Sequence, residues 1–83
     1  MVVHSYSMKK VEWGRQLLSE QYGIKKENIK VDSLREYLYM NLSLTKVNYR
    51  IENGSGFQCV TLVIGTFPLK GKDIKSIESY SCP

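Results

Sequence analysis

The run from Lys46 to Gly65 constrains the fold more than any other part of the chain. Two β-rich segments, Lys46-Val-Asn-Tyr-Arg-Ile-Glu52 and Phe57-Gln-Cys-Val-Thr-Leu-Val-Ile-Gly65, flank Asn53-Gly-Ser-Gly56, a cluster of turn formers. Alternation on both sides of such a cluster is the signature of a β-hairpin. Val47, Tyr49 and Ile51 fall on one face of the first segment, and Lys46, Asn48, Arg50 and Glu52 on the other. A two- or four-residue turn preserves this facing, so Val47, Tyr49 and Ile51 are expected to meet Val60, Leu62 and Ile64 under a helical layer. The second segment is apolar on its back face too, through Phe57, Cys59 and Val63, which places it inside the sheet with a further strand beside it. Pro68 ends that segment, because it cannot donate to a ladder. Lys70-Gly-Lys-Asp73 is turn chemistry, and Ile74 to Tyr80 fits either a third strand, which is favoured, or a short helix capped by Asp73.

Upstream, Met8, Val11, Leu18 and Tyr22 recur at helical spacing, with Leu17 beside them, which predicts a helix from Met8 to Tyr22 capped by Ser7. Gly23 is placed to end it in the left-handed region, with Ile24 folding back onto the last turn. Gly14, in mid-helix, costs about 1 kcal/mol relative to alanine and points to a close packing contact there. Before the helix, Val2, His4 and Tyr6 suit a short edge strand or a frayed arm. Residues 24–31 fit a short helix, or a loop leading into a strand from Asn28 to Val31.

Ser33-Leu-Arg-Glu36 has the form of a capping box, and Leu34, Tyr37, Leu38 and Leu42 form a helical stripe behind it. These features predict a second helix, to about Asn41, although Leu38, Met40, Leu42 and Leu44 also alternate like a strand. The resulting expectation for residues 1–83 is a single small basic α+β domain: two N-terminal helices packed on a C-terminal three-stranded antiparallel meander.

Eighty-three residues sustain one modest core without staples. The apolar fraction of 42% and charged fraction of 24% are those of a globular chain rather than a disordered one. No segment approaches a membrane span or has the order of a signal peptide, so a cytoplasmic chain is expected. Cys59 and Cys82 form no CxxC and have a single histidine for company, His4, so no zinc ligand set exists. In the cytoplasm both thiols are expected to stay reduced. The phosphate-loop, dinucleotide and zinc-protease patterns are absent, and the acidic residues are scattered. The chain therefore reads as a non-enzyme without cofactor or metal.

The net charge of +4 permits an anionic partner. Leu18, Ser19, Gly23, Ile24 and Ile29 fall at spacings that resemble a helix-turn-helix motif. The small residue lets two helices approach, the glycine turns the chain, and the apolar pair anchors the second helix. The resemblance departs at Asp32, where an apolar residue is called for, and in the lack of a full helix ahead of the motif. It implies a winged-helix-like variant of the fold. Lys25, Lys26, Asn28 and Lys30 would face nucleic acid, and Lys46 and Arg50 would serve as the wing.

A competing expectation is a protein-interaction module, an inhibitor or adaptor with a sheet edge open to a protein partner or a homodimer. Its interface would use Trp13, Tyr39, Met40 and Phe57, since exposed aromatics and methionine are enriched at interfaces. A short chain rich in Lys, Ser, Tyr and Asn also suits a phage or mobile-element accessory protein.

Overall fold

A computed structural model of the chain describes residues 5–40, 42–54, 56–67 and 71–82. One helix, α1 (Ser5–Tyr22), is followed by a single 3-10 turn (Lys26–Asn28) and four strands: β1 (Ile29–Tyr39), β2 (Leu42–Glu52), β3 (Phe57–Phe67) and β4 (Gly71–Ser81). The strands form one antiparallel sheet in the order β1-β2-β3-β4. The helix covers one face and the other face is open.

The expected hairpin is present and longer than its alternation suggested. Tyr49 lies opposite Val60 and Val47 opposite Leu62, while Ile51 meets Gln58 and Ile64 meets Thr45. Between the two strands the Asn53 amide donates to the Gly56 carbonyl at 2.9 Å. All six apolar side chains are buried, and with Val11, Leu18 and Ile29 they make the core. β3 is an interior strand, and the C-terminal segment returns as the strand beside it.

Gly23 ends α1 with φ +65, and the Ile24 amide donates back to the Ser19 carbonyl at 3.1 Å. The helix begins ahead of the expected start, so Ser7 lies within it and does not cap it. Tyr6 is likewise helical, and the rest of the expected N-terminal strand or arm lies outside the described residues, His4 included. Gly14 is the packing contact that its position implied. The Tyr49 phenol occupies the space where a Cβ would sit, with Leu62 Cδ1 only 3.1 Å from that point. The same hydroxyl donates to the Val11 carbonyl at 2.9 Å, joining sheet to helix. Burial pushes the phenol's pKa well above its ordinary value; the positive Arg15 nearby opposes this and Glu12 adds to it.

Two expectations are overturned. Among the described residues there is no second major helix, and the sheet has four strands rather than three: one helix packs on four strands. Ser33 and Glu36 do not form a capping box, because Ser33 to Tyr39 belongs to β1. The reason is a β-bulge. The register shifts between Val31 and Ser33, leaving Asp32 as an extra residue. Ile29 and Val31 therefore face the helix from odd positions, and Leu34 faces it from an even one. Beyond the bulge, Leu34 and Leu38 lie on the helix side while Tyr37 lies on the open face, so apolar residues on both faces of the sheet imitate a helical stripe. The winged-helix variant falls with the second helix, since only one 3-10 turn follows Gly23.

The second correction concerns the cysteines. Cys59 and Cys82 are joined in a disulfide, with 5.1 Å between their Cα atoms. Cys59 pairs Tyr80 and Gln58 pairs Ser81, so Cys82 follows directly beyond the end of the ladder. The antiparallel return of β4 thus brings together two cysteines that are remote in sequence. The bond ties the end of the outer strand to the interior strand β3.

Candidate functional site

The open face of the sheet gathers what the helix does not cover. Residues opposite each other in an antiparallel pair share a face, so the register determines which side chains meet there. Opposite the core residues of β2 lie Leu44, Lys46, Asn48, Arg50 and Glu52. Arg35 stands directly across from Lys46, and Lys30 directly across from Arg50. The face thus carries two cross-strand pairs of like charge on its β1–β2 half. Like charges in this position destabilise a sheet.

Arg50 is partly compensated by Asp32, the bulge residue, whose Oδ2 lies 3.1 Å from Arg50 Nε. The guanidinium also sits 5.6 Å from the Phe57 ring centroid. The other pair has no such relief: among the described residues, neither Arg35 nor Lys46 forms an ion pair. Arg35 instead lies 5.9 Å from the Tyr37 ring centroid. Glu52 and Glu78 also lie on this face, at the end of β2 and on β4.

A polar ladder runs between the two charged rows. Asn48 Nδ2 donates to Ser33 Oγ at 2.5 Å, Thr61 Oγ1 donates to Asn48 Oδ1 at 2.6 Å, and Thr61 Oγ1 lies 3.1 Å from the Tyr80 hydroxyl. The ladder links all four strands and holds the Asn48 amide in one orientation. Phe57 and Tyr80 are exposed, so the face presents aromatic rings as well as cations.

Three of the residues expected to bind nucleic acid, Lys30, Lys46 and Arg50, come together on this face. Lys30 does so from a strand rather than from a recognition helix. Lys25 and Asn28 lie elsewhere, in a shallow cleft of about 520 Å³ between the end of α1 and the β2–β3 turn, lined also by Tyr22, Glu52 and Asn53. Lys26 is exposed on the 3-10 turn. Of the residues expected at a protein interface, Trp13 is half-buried and packs against the core. Phe57 is exposed on the open face, and Tyr39 and Met40 are exposed at the β1–β2 turn. Arg35, Tyr37 and Tyr80 also lie on the open face, although the sequence marks Tyr37 only as part of a helical stripe and gives Arg35 and Tyr80 no binding role. Read as a strand, residues 33–39 would have placed Arg35 and Tyr37 beside the polar face of the hairpin.

Among the described residues no group of three or more His, Cys, Asp or Glu side chains is placed to hold a metal ion. Among the described residues no helix is long and apolar enough to cross a membrane. No known family model, curated protein or solved structure matches the chain.

Proposed function

We propose that this chain is a small binding protein that takes single-stranded nucleic acid on its open sheet face. The observation that carries this reading is the Arg35–Lys46 pair. Two cations held directly opposite each other, without a carboxylate, create a local excess of positive potential that a phosphate relieves. Lys30 and Arg50 extend the patch along the same two strands. Exposed Phe57 and Tyr80, with Tyr37 at the β1 edge, offer flat surfaces for unpaired bases, and cations interleaved with aromatics are how sheet faces hold single strands. This mode needs neither a recognition helix nor a groove.

The test is titration of the purified protein with a fluorescent single-stranded oligonucleotide at several salt concentrations. Each neutralised phosphate contributes to the salt dependence, so engagement of all four cations gives a log–log slope of about −3. Replacing Arg35 and Lys46 with Glu should abolish measurable binding while leaving the far-UV spectrum unchanged. Undiminished binding by the double variant would remove this site. Parallel titrations with duplex DNA and with heparin distinguish a preference for single strands from general attraction to polyanions.

The disulfide favours an oxidising compartment over the cytoplasm that the sequence suggested. The second reading, a protein-interaction module, is supported by a different observation. Leu38, Tyr39 and Met40, at the end of the outer strand, are 78%, 59% and 80% exposed.

A further inference from the structure

We infer that the outer edge of β1 pairs with the same edge of a second copy, around a two-fold axis through Tyr37. The inference is independent of the nucleic-acid reading. Among the described residues β1 pairs only with β2, so its other side presents unpaired backbone donors and acceptors. Two apolar features lie along that edge. One is the exposed tip, Leu38 to Met40. The other is a groove of about 310 Å³ between α1 and β1, lined mainly by Met8, Val11, Val31 and Leu34. Tip and groove lie on opposite sides of Tyr37 on one strand. An antiparallel two-fold pairing therefore brings the tip of each copy toward the groove of the other, and the contact closes on itself.

Charge selects the register. With both helices on one side of the joined sheet, each residue must meet one of its own face. Centring the axis on Arg35 sets arginine against arginine, and centring it on Glu36 sets glutamate against glutamate. Centring it on Leu34 sets Asp32 against Glu36 and runs the ladder into the bulge after Val31. Centring it on Leu38 leaves Arg35 beyond the paired segment. With Tyr37 on the axis these conflicts are absent. Tyr37 meets Tyr37 and Arg35 meets Tyr39 of the second copy, a cation over an aromatic ring. Glu36 meets Leu38, and Met40, in the turn just past the end of β1, is brought toward Leu34 of the second copy at the mouth of the groove. Leu38, Tyr39 and Met40, exposed at the end of an edge strand, then have an occupant that their own sequence supplies.

Sedimentation equilibrium of the purified chain, from micromolar to millimolar concentration and without nucleic acid, tests this. A monomer–dimer equilibrium that persists in high salt is expected. Tyr37→Lys places two ammonium groups on the axis and should weaken the dimer at least ~10-fold. Tyr39→Glu, at an exposed position, sets a carboxylate opposite Arg35 of the second copy and should tighten it. Adding Arg35→Glu to Tyr39→Glu should reverse that gain. A wild-type chain that stays monomeric across the range overturns the proposal. So does a dimer whose dissociation constant is unchanged by both single substitutions. Because one variant is expected to loosen the dimer and the other to tighten it, misfolding cannot mimic the result.

Discussion

At the scale of single residues, the contact between helix and sheet depends on Gly14 and Tyr49. The phenol lies where any larger side chain at position 14 would project, and its hydroxyl is committed to the Val11 carbonyl. Gly14→Ala should therefore destabilise the fold by about 1–3 kcal/mol, although alanine is the better helix former; overpacking outweighs propensity. Urea unfolding of the two proteins measures the difference. Tyr49 also sets a limit in alkali. Its folded pKa lies above the unfolded value of about 10, so its contribution is complete below that pH and is lost as the pH rises through the folded value. Unfolding free energies at about pH 8 and about pH 11 should show this loss, and Tyr49→Phe should reduce the difference between them. The phenylalanine variant should itself be about 1 kcal/mol less stable at neutral pH, for want of the hydrogen bond.

At the scale of elements, β3 and β4 are held by a covalent bond as well as by a ladder. Closing 23 residues of sequence separation between Cys59 and Cys82 restricts the unfolded chain, and removing the bond should cost about 3 kcal/mol. Thermal unfolding with and without reductant, and of the Cys59→Ala, Cys82→Ala double variant, measures that cost. The same elements show what sequence reveals. The hairpin was legible because neither β2 nor β3 is bulged against the other, so alternation and facing survive intact from Val47 to Ile64. β1 was not legible because Asp32 puts Ile29 and Val31 out of phase with Leu34, and because Tyr37, on the open face, falls at helical spacing from Leu34 and beside Leu38 on the other face; the capping box at Ser33 and Glu36 then has no helix to cap. The disulfide was hidden for a different reason: it depends on the return of β4, a long-range pairing that no local pattern encodes. The site followed the elements. Lys46 and Arg50 came from the legible hairpin, and Arg35 was missed with its strand.

For the molecule as a whole, a net charge of +4 understates how unevenly charge is distributed. The cations of β1 and β2 stand on the face away from the helix, and the polar ladder from Ser33 to Tyr80 crosses that face between them. Charge reversal at Arg35 and Lys46 should therefore affect binding far more than the same reversal at Lys25 and Lys26. The two double variants, compared by oligonucleotide titration at fixed salt, check this. An edge-to-edge dimer would set two such faces side by side in one eight-stranded sheet, with four like-charged pairs along its middle.

The link between Cys59 and Cys82 has one more consequence. Together with the peptide backbone between them it makes a closed ring that contains most of β3 and all of β4. Cleavage of a single peptide bond in that ring opens it without releasing a fragment. A protease that nicks the exposed outer strand leaves both pieces attached, and the cut ends stay next to the ladder they came from. The last strand is thus protected against loss by its connectivity as well as by its packing.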